Sequence, residues 1–528
     1  MPDTVTTDHA VDQSSMTTSE PKSKNEVMIA VGEAGSDSEA GENPKKVAVP
    51  LKWKLASILM VSAIGFGSHW SSGITGAMKS TIKKELHINN TQYALLEASE
   101  DFMVTLLMLV SGVVTDRIGG AGAILYGNLL FTVGSLLVAG AAQVQSYRFM
   151  IGGRVIQALG DIATQVAQYK IFSSWFPPSH GFASTLGLEL GIGKIGAFAG
   201  KSSANIISQN TGNFANVFWV AAGMNLFTNV MTAGFYWFTN VANRKFASTA
   251  DPATGEELTE KNKKFELRKV LELPWVFWAV MAFSLFETST AIVYTQNATE
   301  LAEQRLGVSA VKAGWYTSVV QYGGFFIVPL LGVFIDVWGN RLTILLVCGL
   351  GVFLSMCLVN WNTQMSGTSA SFAIYAVAYC FGPATIIDSI RTSLWDQSIF
   401  GSAYAIKITV NNAMNIVVRV VCGVLQDADN NSYDTVSIVY VFLAACSVLV
   451  SILLCVFAFF NVDLRRLQWT RKQRVAKGYI INERNEKFHN ENGDRNRLVS
   501  KICFISVIFL VLGSWCGYFW GVATGNND

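Results

Sequence analysis

Between Leu55 and Phe460 the chain runs through apolar stretches of about 20 residues separated by short polar or Gly-containing breaks. That is the length an α-helix needs to cross a hydrocarbon core of roughly 30 Å. Twelve such stretches can be drawn, at 55–79, 91–115, 121–142, 148–174, 181–206, 215–241, 273–298, 313–337, 341–361, 370–392, 401–425 and 435–460. In lipid every backbone polar group needs an internal partner, and these runs are too long and too evenly apolar for barrel strands, so the pattern predicts helices. The expected fold class is an all-α membrane protein of two six-helix bundles. A thirteenth candidate span lies at 501–521. The expected organisation is a disordered cytosolic tail at 1–49, a first bundle at 50–241, a cytosolic linker at 242–272, a second bundle at 273–460 and a cytosolic tail at 461–500 ahead of that extra helix.

Charge fixes the orientation. The segment after the sixth span carries Arg244, Lys245, Lys261, Lys263, Lys264, Arg268 and Lys269, and the segment after the twelfth carries Arg465, Arg466, Arg471, Lys472 and Arg474. Lys45, Lys46, Lys52 and Lys54 precede the first span, so the positive-inside rule places all three in the cytosol. Three N-x-Ser/Thr sequons, at Asn89, Asn297 and Asn430, then fall in predicted outer loops, where glycosylation is expected. Residues 1–49 lack the apolar run of a cleavable signal peptide, which leaves the first span as the signal anchor.

Composition narrows the function. With 51% hydrophobic and 14% charged residues in 528, and a formal charge of +2, the chain has a membrane protein's balance and no footprint for nucleic acid. The eight cysteines all sit in apolar stretches of the second half without metal-ligand spacing or a paired framework. There is no Walker frame, His/Glu metal spacing or nucleophile elbow, so neither an enzyme nor a cofactor is expected.

A repeat identifies the architecture. Gly112-Val-Val-Thr-Asp116-Arg117-Ile-Gly119 follows the second span, and Gly332-Val-Phe-Ile-Asp336-Val-Trp-Gly339-Asn-Arg341 follows the eighth. One Gly-x-x-x-Asp-x-x-Gly frame is weak, but two at equivalent places six helices apart mark an internal duplication. These loops, with Gly153-Arg154 entering the fourth span, resemble the signatures of the major facilitator superfamily. The resemblance implies two helix bundles rocking about a midplane site, with Gly112, Asp116, Arg117, Gly332, Asp336 and Arg341 bracing the cytosolic ends.

Further stretches are similar to one branch of that superfamily, the domain-containing protein 1 family of lysosomal dipeptide carriers. They are Gly65-Phe66-Gly67-Ser68, Asn89-Asn90-Thr91, Val166-Ala167-Gln168, Ser174-Trp175-Phe176, Leu186-Gly187-Leu188, Lys194-Ile195-Gly196 and Gly401-Ser402-Ala403-Tyr404 through Asn412. The similarity implies a uniporter releasing dipeptides from a lysosomal or vacuolar compartment, with a glycosylated accessory membrane protein as partner. It also implies a substrate held at both ends, by a fourth-helix acid near the amino group and a fifth-helix cation near the carboxylate. Lys194 occupies the cationic position; Ile162 aligns with the acidic one, and Asp161 is the nearest carboxylate.

Intramembrane charge points to the same region independently. An ionised side chain near mid-bilayer costs at least ~2.5–3.5 kcal/mol, so such groups face a cavity or a partner. Asp161, Lys194 and Glu287 fall in one layer, where a zwitterionic solute would find Lys194 for its anionic group and Asp161 or Glu287 for its cationic one. The competing reading is a structural ion pair between the fourth and fifth helices. Asp101 and Arg419 toward the outside, and Glu189, Lys407 and Asp388 toward the cytosol, are candidate gating charges. His69 in the first span is a candidate substrate or proton site. Three functions stay open: a secondary carrier of a small amino-acid-like or dipeptide solute, a proton-coupled symporter of another organic ion, and a transport-inactive receptor or scaffold. The plasma membrane remains an alternative location.

Overall fold

The computed structural model describes residues 47–247, 249–255, 257–258, 271–490 and 493–525. Within them, the side chains at 47–48, 109–110, 112–117, 247, 249–250, 257, 398, 489 and 493–495 lie outside the description. The tail expected at 1–49 is therefore almost wholly outside the described residues, as are the side chains of Gly112, Asp116 and Arg117.

The first half comprises α1 (Leu51–Ala77), a short α2 (Lys79–Leu86), α3 (Asn90–Ile118), α4 (Gly120–Gln143), α5 (Tyr147–Trp175), α6 (Phe182–Thr211) and α7 (Ala215–Lys245). The second comprises α8 (Trp275–Leu306), α9 (Ala310–Trp338), α10 (Arg341–Trp361), α11 (Met365–Tyr379), α12 (Pro383–Ser393), α13 (Phe400–Ala428) and α14 (Asp434–Phe460). Among the described residues, eight helical segments are long and apolar enough to cross a membrane: α4, α8, α9, α10, Met365–Ser393, α13, α14 and Asn496–Gly525. The remaining long helices of the first half are of similar length but more polar. Their polar residues turn inward: Glu97 and Asp101 on α3, Arg154 and Gln157 on α5, Glu189 and Lys201 on α6, and Asn225 and Thr232 on α7 are all buried.

One predicted span is broken. The stretch at 370–392 is α11 and α12, interrupted at Cys380, Phe381 and Gly382, because Pro383 has no N–H to continue the ladder. Such half-helices inside a bundle are stable only where they line a protein cavity.

Within the halves, side-chain amides join helices that the hydrophobic effect cannot hold together in lipid. Asn128 Nδ2 on α4 donates to Thr232 Oγ1 on α7 at 2.9 Å, and Asn225 Nδ2 on α7 donates to Ser135 Oγ on α4 at 2.7 Å. Between the halves, α6 crosses α9 at backbone distance. A side chain at Gly187 would meet the Val328 carbonyl and Pro329, and one at Gly332 would run into the Ala183 carbonyl. Here glycine serves close approach across the two bundles, and Gly332, the first Gly of its repeated frame, is one of the positions that allow it.

The segments after α14 are α15 (Val462–Arg465), α16 (Arg471–Ala476), α17 (Gly478–Asn490) and α18 (Gly493–Gly525). Helix α18, which contains the predicted 501–521 span, packs on α13, α3 and α8, so it lies across the seam between the halves. Phe102 of α3 stacks on Tyr518 at 4.9 Å between ring centres, while Trp278 of α8 donates to Ser500 Oγ at 2.9 Å.

Val47–Ala48 pairs in parallel with Phe246–Ala247, and Arg474 Nη2 meets Asp251 Oδ2 at 2.7 Å. The three basic segments thus share one end, the inner end by their charge. Burial alone would raise the Asp251 carboxyl, but the hydrogen bonds and charge of Arg474 outweigh it and hold it below its usual value.

Asn89 and Asn297 share the opposite, outer end, since Lys79 and Lys83 reach both neighbourhoods. The expectation of a glycan at Asn297 is corrected: this residue is buried inside α8, accepts from Lys79 Nζ at 2.8 Å and donates to Tyr440 Oη at 2.8 Å. Asn89 Oδ1 caps α3 by accepting from the Gln92 amide, whereas Asn430 is exposed in a turn. Asn430→Gln is therefore expected to remove an endoglycosidase-sensitive mobility shift and Asn297→Gln to leave it unchanged; a shift lost only with Asn297→Gln would reverse this assignment.

Candidate functional site

Two adjoining chambers lie between the halves. The larger encloses about 370 Å³ and is lined from both bundles, by Glu97, Glu100, Arg154 and Asp161 from the first and by Tyr404, Lys407, Asn411 and Arg419 from the second. The smaller encloses about 220 Å³ and is lined by Lys194, Lys201, Gln321, Tyr379 and Cys380 among others. His69, Ser72, Ile292 and Gln296 line both, so they form the neck between them.

The larger chamber is rich in carboxylates, most of them already engaged. Glu97 is a hub. Arg154 Nη2 donates to it at 3.0 Å from its own half, Arg419 Nη1 at 3.4 Å from the other, and Gln296 Nε2 at 2.8 Å. Arg419 Nε also approaches Asp101 Oδ2 at 2.7 Å, and Arg154 Nη1 approaches Glu100 at 3.4 Å. Asp161 differs: its carboxylate accepts from Gln165 Nε2 on its own helix and has no ion pair among the described residues.

The smaller chamber has the opposite character. Lys194 Nζ lies 4.3 Å from the ring centre of Tyr379, a cation–π contact, and Lys201 Nζ donates to the Thr295 carbonyl at 2.9 Å. No carboxylate lines it among the described residues.

Both ends of the passage are closed by contacts between the halves. At the outer end Lys79 Nζ meets Glu300 Oε2 at 2.9 Å and donates to Gln426 Oε1 at 2.8 Å and Tyr433 Oη at 2.9 Å. Asp427 accepts from the Asn90 and Thr91 amides at 2.9 and 2.8 Å. At the inner end Asp336 accepts from the Ser184 amide at 2.8 Å and from its hydroxyl, while Arg341 Nη2 donates to Ser179 Oγ at 2.9 Å. Arg391 donates to the Ser173 carbonyl at 2.8 Å and stacks its guanidinium 4.0 Å from the Phe182 ring centre.

The predicted site residues divide accordingly. Asp161 lines the larger chamber, Lys194 the smaller and His69 both, with His69 Nε2 4.0 Å from Glu189 Oε1. Glu287 departs from the expectation of a ligand contact. It is fully buried, lines neither chamber, accepts from Thr288 Oγ1 at 3.1 Å and sits against Gly382 at the helix break. Lys194 and Lys407 are both within its electrostatic reach, so it acts on them from behind the wall. Asp101 and Arg419 pair across the halves. Asp388 departs from the gating expectation: it pairs with Arg341 at 2.5 Å inside its own half. Lys407 has no ion pair with Glu189 among the described residues and lines the larger chamber. Sequence reasoning missed Lys79 and Glu300, whose contacts come from helices distant in the chain.

The Major Facilitator Superfamily profile matches residues 61–418. The lysosomal dipeptide transporter MFSD1 of Bos taurus is 19% identical over 392 residues, which cover 71% of this chain and 80% of that protein. The Mus musculus counterpart is 19% identical over 435 residues, covering 80% and 90%. Among solved structures, the proton:xylose symporter XylE bound to 6-bromo-6-deoxy-D-glucose superposes with a TM-score of 0.60 at 14% identity, over 80% of this chain and 98% of that one. The transporter FucP in the outward conformation gives 0.53 at 15% identity, over 79% and 100%. At such identities these structures bear on the fold alone.

Proposed function

The chain belongs to the Major Facilitator Superfamily, a family of carriers that move small solutes across a bilayer, and on that premise we propose that it carries a dipeptide or similar small zwitterion by alternating access. The ammonium group sits at Asp161 in the larger chamber, the backbone threads the neck at His69 and Gln296, and the carboxylate meets Lys194 in the smaller chamber. One observation carries this reading: a carboxylate without an ion pair among the described residues and a lysine without a lining carboxylate occupy adjoining hollows that share four residues. A buried charge is costly unless paired, and a zwitterion supplies both partners at once. The resembling carriers act on dipeptides in the lysosome by name, which supports the same substrate class and a lysosomal or vacuolar membrane for this chain.

A ligand that binds the native state raises its melting temperature. Neutral dipeptides are expected to raise that of the purified protein, and Lys194→Ala or Asp161→Asn to abolish both the response and uptake into proteoliposomes. Unchanged uptake in both variants would remove the zwitterion reading.

Proton coupling is the second reading, supported by His69 at the neck, close to Glu189 and within electrostatic reach of Asp161. Uniport predicts that an imposed pH gradient drives no accumulation above equilibrium. Uphill accumulation that is lost in His69→Gln favours symport instead.

A further inference from the structure

The smaller chamber holds more positive charge than a single carboxylate answers. Lys194 and Lys201 are seven residues apart on α6, two turns and so on one face, about 10 Å apart along the axis. Both line the chamber, and Glu287 behind the wall is shared between Lys194 and Lys407. Lys201 is only 2% exposed. Among the described residues its ammonium donates to the Thr295 carbonyl, and the charged group that acts on it is another cation, Lys194. A backbone carbonyl satisfies one of three ammonium donors and none of the charge. Gln321, whose amide can both donate and accept, lines the same hollow, and its Oε1 is buried without a partner among the described residues.

We propose that Lys201 is a specificity residue for a second carboxylate, so that the preferred substrates are dipeptides with an acidic C-terminal residue. The α-carboxylate lies at Lys194 and the side-chain carboxylate reaches toward Lys201, with Gln321 donating beside it. A cationic C-terminal side chain is rejected, since it would add a third positive charge to a hollow in which no carboxylate among the described residues forms the lining. This rests on the zwitterion reading for its orientation, but the pairing of Lys201 with an anion does not.

The test is proteoliposome uptake of Ala-Glu, Ala-Ala and Ala-Lys, with dipeptide and glutarate binding followed by thermal shift. The intact protein is expected to favour Ala-Glu over Ala-Lys by about tenfold or more in kcat/KM. Lys201→Gln should collapse the ratio of Ala-Glu to Ala-Ala uptake by a similar factor, and Lys201→Arg should keep it. Equal uptake of Ala-Glu and Ala-Lys, or a ratio that survives Lys201→Gln, overturns the proposal. If no dipeptide is carried or bound but glutarate raises the melting temperature in a Lys201-dependent way, the dipeptide reading fails and the anion site stands. Absence of response to both overturns both.

Discussion

Asp388→Ala is expected to destabilise the folded protein by about 3–5 kcal/mol, the usual cost of leaving one member of a buried pair alone. Arg341 and Asp388 are each essentially without solvent contact, and Arg341 Nε meets Asp388 Oδ2 at 2.5 Å. After the change, the guanidinium keeps among the described residues the Ser179 hydroxyl at 2.9 Å and the Leu467 carbonyl at 3.3 Å, neither of which carries charge. The loss should appear as a lower melting temperature in detergent and a lower membrane yield. The ratio of Ala-Glu to Ala-Ala uptake per folded molecule should stay unchanged, because neither residue lines the chambers. Replacing both together, as Arg341→Met with Asp388→Leu, should recover much of the stability, since an apolar pair of similar volume carries no desolvation cost. A variant that melts normally but changes inner accessibility would instead make Asp388 a gate.

The fold was legible in the sequence because lipid leaves the backbone few choices. Twelve apolar stretches, one repeated Gly-Asp-Gly frame and three basic segments suffice to order the helices. The chamber residues Asp161, Lys194 and His69 were legible for the same reason, as each is a polar side chain in a run where polarity is expensive. Glu287 shows the limit of that reasoning. Depth along a helix places it in the right layer, but not its rotation, and the break at Gly382 turns a wall toward it. Asp388 fails likewise, because its partner Arg341 is the first residue of α10, 47 residues earlier. Lys79 was illegible altogether. It closes the first predicted span, where a terminal lysine reads as an ordinary outer-end charge, and only packing brings Asn297, Glu300, Gln426 and Tyr433 from three distant segments to enclose it.

Arg419→Ala is expected to open the outer end. Arg419 stands on α13 in the second half and grips two carboxylates of α3 in the first, Asp101 at 2.7 Å and Glu97 at 3.4 Å, while also donating to Gln296. In the closed state the variant leaves Asp101 without its cation and Glu97 with Arg154 as its one cation among the described residues, whereas opening lets water solvate both carboxylates. The closed state therefore loses more than the open one, and each 1.4 kcal/mol of that difference shifts the ratio about tenfold. The Lys79 layer remains above, so a shift of roughly tenfold is expected for the single variant. Adding Lys79→Ala should extend it further. A Ser72→Cys reporter at the neck, in a background with the eight native cysteines replaced, reads this as faster labelling from the outer side. Uptake should fall in parallel, because a carrier that cannot close outside cannot release inside. A simple exchange, Asp101→Arg with Arg419→Asp, should restore transport only in part: the reversed pair still spans the seam, but the cation of Glu97 then stands on its own helix and Glu97 faces the new aspartate across the halves. Labelling as slow as in the parent, or full rescue by the exchange, would show that the outer closure does not depend on this shared arginine.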